Sequence, residues 1–409
     1  MISGMECMTQ KILILDTGKE WGGGTNSLLE LLKRIDKTRY HFTALFYNNY
    51  KKGDESDIKS EIEKLGIDFL LLEQKKQPAI AKTLKELFRA LFFFSRQLKK
   101  YMVFIIDYQF RIKRNAKKIA HALKDLKIDL LYMNNQPSSN LEGIIASKIT
   151  GLPALQHSRI ETRLNPFEVK TANLWLKKMI CVSGGVKNTF VRQGIDAEKC
   201  VVVHNGIDPE TKPSMPPHEI RKKWGISEYD ILIGTVGSLI KRKRLNDLIE
   251  AISIAANKTG HTIKCIIIGE GPERENLVDL VKRKNLHDKV IFTGFQLDAV
   301  SYINAMDIFV LTSEKEGLPR VILESMLMSK PVIASNVTGS AELVINGETG
   351  FLVPAGQPKM FANKILELIK SPVLRRQMGE KSRKRVIENF SIEKYVKGVE
   401  MVFKEVLEL

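Results

Sequence analysis

The chain has 409 residues, 44% hydrophobic and 27% charged, with a formal net charge of +17. That length predicts two domains rather than one, and the charge points to an anionic partner: nucleic acid, an acidic membrane or a phosphorylated substrate. No stretch reaches the roughly eighteen apolar residues of a transmembrane helix, and Cys7, Cys181, Cys200 and Cys265 lack Cys-x-x-Cys spacing and read as free thiols of a reducing compartment.

Met1 to Gln10 has no basic region followed by an apolar core, so it reads as a tail rather than a secretion signal. Lys11 to Leu15 is a buried strand, followed by Trp21-Gly22-Gly23-Gly24-Thr25-Asn26-Ser27 and then Leu28, Leu29, Leu31, Leu32 and Ile35 at helical spacing. Strand, glycine loop and helix open a nucleotide-binding α/β unit. Gly22-x-Gly24-x-x-Ser27 is an imperfect dinucleotide fingerprint. The next strand, near His41 to Tyr47, ends in Asn48-Asn49 instead of a ribose-binding acid, which counts against a nicotinamide-dependent dehydrogenase.

Residues 80–120 carry eleven Lys and Arg against Glu86 and Asp107. Leu84, Leu87, Phe88, Leu91, Leu98, Met102 and Ile105 fall on one side of a helix, with Lys82, Lys85, Arg89, Arg96 and Lys100 roughly opposite and Phe93 among the basic residues. Such a helix either lies in an anionic membrane surface or covers the sheet with its basic side solvated.

Further strands are expected at Leu130 to Met133, ending in Asn134-Asn135-Gln136-Pro137, and at Pro153 to Leu155, running into Gln156-His157-Ser158-Arg159. The ends of parallel strands are where α/β domains bind ligands. Met179 to Ser183 and Val201 to Asp208 follow, and the Pro-rich run Pro209 to Pro217 reads as a linker.

A second α/β domain opens at Ile231 to Gly237. Lys241, Arg242, Lys243 and Arg244 then precede a helix at Leu245 to Ala256. Four cations after a strand suit a diphosphate. Cys265 to Ile268 leads into Gly269-Glu270-Gly271-Pro272, and Val290 runs to Gly294 and Phe295. Asp307 to Leu311 is a buried strand that leads to Glu316-Gly317-Leu318-Pro319. A helix begins there with Val321, Leu323, Met326 and Leu327 on its packed side, and Pro319 is expected as its first residue. Its amino end offers unpaired N–H groups and the positive end of the dipole, a ready phosphate site. Glu316 and Glu324 bracket it; Glu324, among apolar neighbours, needs a partner, which a hydroxyl-rich ligand would supply. Lys330 to Ala334 is one more strand, and a last helix runs from about residue 391 to 409.

Glu316 and Glu324, separated by seven residues with Gly317-Leu318-Pro319 between, resemble the E-x7-E motif of retaining glycosyltransferases of family 4. The resemblance is strong over residues 180–355, moderate over 11–35 and 150–160, and absent over 50–125. It implies an α/β GT-B fold of two doubly wound Rossmann-like domains facing each other across a cleft. Residues 1–208 would form the acceptor-side domain and 209–390 the donor-side domain, with 391–409 crossing back. It implies transfer of a sugar from a UDP- or GDP-sugar to an acceptor hydroxyl with retained configuration. Lys243, with Arg242 and the helix start at Gly317-Leu318, would hold the diphosphate. Glu324 would bind the ribose and Glu316 would position the sugar and offset its developing charge. His157 would hold a sugar hydroxyl, Gly294 and Phe295 would lie near the base, and Gly22-Gly23 would face the cleft. Ser238 stands where many relatives have Arg, and Arg244 where they have Gly, so one phosphate contact is missing. There is no Asp-x-Asp sequence, so no metal and no separate cofactor are expected. Residues 80–120 would bring the enzyme to the cytoplasmic membrane face, to a lipid-linked, lipopolysaccharide-type or other cell-surface glycan acceptor.

Two rivals are weighed. A nucleotide-sugar epimerase of the same fold is disfavoured by the family 4 motif set. A nucleic-acid-binding protein rests on charge alone; its cations should line one groove with stacking aromatics, whereas here they split between a turn and an amphipathic segment, so no nucleic-acid partner is expected.

Overall fold

The computed structural model describes residues 9–52, 56–73 and 77–408; Cys7 and the first eight residues of the expected tail lie outside them. The chain divides into two compact units.

Unit 1 takes in the chain up to Cys181, Lys187–Val202 and the chain from Val399. Its parallel sheet is built from β1 (Gln10–Asp16), β2 (Tyr40–Phe46), β3 (Asp68–Leu71), β4 (Leu130–Asn135), β5 (Ala154–Ser158), β6 (Lys178–Cys181) and β7 (Cys200–Val202), in the order β3-β2-β1-β4-β5-β6-β7. Ile12, Leu13, Ile14 and Leu15 are all fully buried, as consecutive residues must be when helices cover both faces of a parallel sheet. The strand order reverses direction between β1 and β4. Their carboxyl ends therefore flank a crevice not crossed by a connection, the usual ligand position in such sheets. The last helix, Ile392–Leu407, contributes Phe403, whose ring centroid lies 5.5 Å from that of Tyr40 and 5.3 Å from that of Tyr132, both edge-on.

The basic segment departs from the expected single helix. It forms a hairpin of two helices, Ala79–Leu91 and Arg96–Asp107, followed by a π turn at Tyr108–Ile112 and a helix at Lys113–Asp125. Ser95 breaks the run because its side chain accepts the Leu98 N–H and caps the second helix. The apolar residues do not cover the sheet as one face. Ile80, Leu87 and Leu91 of the first helix and Leu98, Tyr101 and Ile105 of the second are exposed, and Phe93 and Phe94 at the turn are 80% and 69% exposed. Nor is Lys85 on an open basic stripe: its Nζ lies 2.5 Å from Asp107 Oδ1, with the side chain mostly buried.

Unit 2 comprises Val182–Val186 and Val203–Gly398. Its parallel sheet contains β8 (Ile231–Val236), β9 (Ile263–Ile268), β10 (Val290–Gly294), β11 (Ile308–Leu311), β12 (Val332–Ser335) and β13 (Gly350–Val353), ordered β10-β9-β8-β11-β12-β13. Ile233, Ile267, Val310, Ile333, Ile252 and Phe361 are fully buried in its core. The order reverses between β8 and β11, so a second crevice opens at their carboxyl ends. Gly269, after β9, has φ +136, and a Cβ there would sit 2.0 Å from the Gly237 carbonyl oxygen; only glycine fits this close crossing of loops. Glu342 accepts the N–H groups of Gly184 and Gly185 at 3.0 and 2.8 Å and also meets His204 Nε2 at 3.0 Å, tying Val182–Val186 into the unit.

Phe403→Ala should destabilise the protein by about 3–5 kcal/mol, the range for removing a fully buried aromatic. Urea unfolding followed by tyrosine fluorescence measures it; a loss under about 1 kcal/mol would contradict tight packing around Tyr40 and Tyr132.

Candidate active site

In unit 2 the two loops that follow β8 and β11 are joined across the crevice. The loop after β8 closes in a 3-10 turn at Lys241–Lys243, and Arg244 then takes a left-handed φ of 48 before the helix Leu245–Ala256. Thr312, just past β11, donates its hydroxyl to the carbonyls of Lys243 and Arg244 at 2.9 and 3.0 Å. The Glu314 N–H donates to the Arg242 carbonyl at 2.9 Å, and Arg242 Nη1 donates to the Lys315 carbonyl at 2.6 Å. This stitching aims Lys243 at Glu316: Nζ and Oε1 are 2.6 Å apart, and Arg242 Nη1 lies 3.6 Å from the other oxygen. Glu316 is 6% exposed. Burial alone pushes its carboxyl up, but Lys243 and Arg242 outweigh it and hold the group below the usual carboxylate range.

The residues after Glu316 lead into the helix Arg320–Leu327. Pro319 is its N-cap rather than its first residue, with φ −70 and ψ 115. The turn is held from behind by the Asn205-Gly206 pair. Asn205 Nδ2 donates to the Leu318 carbonyl at 3.0 Å, and Arg320 Nη1 donates to the Gly206 carbonyl at 3.1 Å. Gly339 packs directly on the Gly317 peptide, since a Cβ there would lie 2.1 Å from the Gly317 oxygen. The structure thus brings Lys243, Arg242, Glu316, Gly317 and Leu318 together. Glu324 is four residues into the same helix and has a partner close in sequence after all: Arg320 Nε lies 3.7 Å from its Oε1, and both side chains are mostly buried. Ser238 is exposed on the loop after β8 and puts no cation there. Gly294 ends β10 with φ +73, and Phe295 beside it is exposed.

In unit 1 the expected residues lie along the other crevice. Gly22 caps the helix Gly23–Arg34 without a side-chain bond, and Gly23 is that helix's first residue. His157 lies within β5 rather than after it, fully buried, with Tyr132 Oη 2.6 Å from Nδ1. Burial, with the Arg159 charge second, lowers its pKa well below the usual histidine value, so the ring is neutral at physiological pH.

Sequence reasoning missed Asp16, the last residue of β1. It accepts from Asn134 Nδ2 at 2.5 Å, Asn135 Nδ2 at 2.7 Å and the Gly18 N–H at 3.0 Å, while Arg159 Nε donates to Asn134 Oδ1 at 2.7 Å. Burial nevertheless raises the Asp16 pKa. The available signal was an acid closing an apolar run, next to an Asn-Asn pair at the end of the neighbouring strand.

Residues 21–211 match the family described as Glycosyltransferase Family 4, and residues 217–385 the one described as Glycosyl transferases group 1. The capsular polysaccharide biosynthesis glycosyltransferase CapM of Staphylococcus aureus is 31% identical over 278 residues, 62% of this chain and 71% of that protein. The N-acetyl-alpha-D-glucosaminyl L-malate synthase of Bacillus anthracis is 32% identical over 205 residues, 50% of this chain and 53% of that one. The chain therefore spans little more than half of this second relative. Among solved structures, Anabaena HepE in complex with UDP-glucose aligns with a TM-score of 0.76 at 22% identity, over 96% of this chain and 99% of that one; at such identity the likeness is one of fold.

Lys243→Met should cost about 3–5 kcal/mol at neutral pH, because a buried carboxylate loses its nearest counter-charge. In the parent, the depressed Glu316 pKa contributes stability above the unfolded value, which is lost as pH falls through the folded one. In the variant, burial is less opposed and the penalty belongs to the charged form. The stability gap between the two proteins should therefore narrow from about pH 7 to about pH 4.5. Chemical denaturation across that range reads it; a constant gap would mean that Glu316 does not depend on Lys243.

Proposed function

The chain belongs to glycosyltransferase family 4, with its GT-B arrangement of two doubly wound units, and we propose that it moves a sugar from a nucleoside diphosphate sugar to an acceptor hydroxyl with retained anomeric configuration. The observation that carries this reading is the Lys243–Glu316 pair beside the start of the Arg320–Leu327 helix. Breaking the bond between sugar and diphosphate leaves negative charge on the phosphates and positive charge on the ring. A cation and a carboxylate held 2.6 Å apart present one countercharge to each. Lys243, Arg242 and the amides at Gly317 and Leu318 stabilise the departing diphosphate, and cations take the place a metal would fill. Glu316 faces the developing charge of the sugar. Glu324 turns from its long contact with Arg320 to accept ribose hydroxyls. His157, neutral, exchanges a hydrogen bond with a sugar hydroxyl, and Gly294 and Phe295 border the base. A uridine nucleotide is supported by HepE, whose structure holds UDP-glucose; a guanosine nucleotide is the other candidate.

The acceptor is a lipid-linked or cell-surface glycan at the inner membrane face. This is supported by CapM's role in capsular polysaccharide biosynthesis and by the exposed hairpin. Among the described residues no helix is long and apolar enough to cross a membrane. Instead, Phe93, Phe94, Leu91 and Leu98 form an uncovered apolar tip flanked by exposed Arg89, Arg96 and Lys100. Uncovered apolar patches of this kind mark interaction sites. The cations match an anionic bilayer, at about 1 kcal/mol each near its surface.

Two measurements bear on this. Glu324→Gln should weaken UDP binding by about 1.5–3 kcal/mol, the value of a hydrogen bond to a charged group; equal affinities in calorimetry would remove the ribose role. The parent should co-sediment with anionic vesicles at low salt and be released by added salt, while the Phe93→Ser/Phe94→Ser double variant should stay largely in the supernatant. A parent that remains in the supernatant would leave the hairpin without a membrane role.

A further inference from the structure

Unit 1 holds a second group of polar side chains that donor chemistry does not use, at the same carboxyl edge of its sheet. Tyr47 follows the last residue of β2, Lys19 lies on the loop after β1, and Glu142 is in the first turn of the helix Leu141–Thr150, after β4. Arg111 reaches them from the π turn at Tyr108–Ile112. A π turn inserts a residue into a helix and re-aims its side chains, often at a functional site. Arg111 Nη1 donates to Glu142 Oε1, and Arg111 Nε lies 4.0 Å from Asp107 Oδ1.

Two features of this group point to a ligand. The Tyr47 side chain is 6% exposed, yet its hydroxyl has no hydrogen-bond partner among the described residues. Native folds satisfy nearly all such atoms. It is also a hydroxyl that stays protonated: burial, with the Glu142 charge second, raises its pKa well above the usual value. It can therefore donate. Arg111 is 35% exposed and keeps donors beyond the one given to Glu142, in the planar fork that fits an oxyanion. Lys19 is close enough for its charge to act on Glu142. Of the two carboxylates beside Arg111, Glu142 is almost fully buried behind it, and Asp107 is shared with Lys85.

We propose that Tyr47 and Arg111, with Lys19, form a subsite for an oxyanion carried by the acceptor, a phosphate or diphosphate ester or a carboxylate near the hydroxyl that receives the sugar. The proposal rests on the glycosyl-transfer reading and narrows its acceptor to anionic molecules.

The test uses the full chain saturated with UDP, so that the donor site is occupied, titrated by calorimetry with geranyl diphosphate and, separately, with L-malate. One of the two should bind. Tyr47→Phe should weaken that binding at least about fivefold and Arg111→Gln at least about tenfold. Tyr47→Phe deletes only an oxygen without a partner among the described residues, so its thermal midpoint should equal or exceed the parent's, which keeps the test valid if Arg111→Gln folds poorly. Binding of the diphosphate identifies a lipid-carrier type of acceptor, and binding of malate a soluble acid; either supports the subsite. No binding of either probe to the parent, or undiminished binding to both variants, overturns it. Slow hydrolysis of a UDP-sugar by the parent without any acceptor reports on the transferase assignment alone, and its absence alongside intact anion binding would count against glycosyl transfer rather than against the subsite.

Discussion

A carboxylate nearly withdrawn from water must be answered by a charge, and in unit 2 most of the local structure follows from how Glu316 is answered. Lys243 meets it at 2.6 Å, but only because Arg244 adopts a left-handed conformation and because Thr312 holds the carbonyls of Lys243 and Arg244. Those bonds run between the loops on either side of the strand-order reversal. The ion pair is thus the visible end of a brace that fixes the crevice. Without Lys243 the desolvation of Glu316 would be uncompensated, and the brace would have no electrostatic reason to close. A site preorganised in this way needs little rearrangement when charge separates during a reaction, which is the condition under which fixed charges help most.

Unit 1 repeats the architecture with different groups along its crevice. Its crevice also lies at a strand-order reversal, but there burial, rather than a paired counter-charge, is the largest influence on the titratable groups. Asp16 is pushed up by burial against three hydrogen-bond donors, and His157 is pushed down by burial and by Arg159. The same order of strands therefore carries different loops in the two units, with Lys241 to Arg244 beside the crevice of unit 2 and the buried Asp16 and His157 beside that of unit 1.

Much of this was legible in the sequence because the strands are buried on both faces. Runs such as Lys11 to Leu15 and Cys265 to Ile268 announce themselves, and the helix at Leu245–Ala256 fell within its expected bounds. The Gly317-Leu318-Pro319 turn was readable as a break between a buried strand and a helix, and Glu316 was singled out by its resemblance to the family 4 motif. What failed was side-chain pairing. Glu324 meets Arg320 one turn earlier on its own helix, a contact the apolar pattern around it concealed. Periodicity across residues 80–120 assumed one continuous helix; Ser95 instead caps a second one, which folds the segment back on itself. Lys85 and Asp107 then pair across a turn that linear spacing could not reveal. Asp16 carried only the faint signal of an acid closing an apolar run, and Tyr47 and Arg111 carried none, since each gains meaning only from residues far along the chain.

The net charge of +17 conflates two kinds of cation that the structure separates. Lys243 is largely buried and locked to a carboxylate. Its interaction is short-ranged and only weakly screened. Arg89, Arg96 and Lys100 on the hairpin are exposed, and their field fades within a Debye length of about 10 Å at 0.1 M salt. Such charges cannot position a reacting group, but they can hold an apolar tip against an oppositely charged surface, where the approach is closer than that length. Electrostatics at the tip is therefore long-ranged and open to screening, and electrostatics at the crevice is short-ranged and shielded. Salt should weaken the first well before it disturbs the second, because only the first is made of charges that water still reaches.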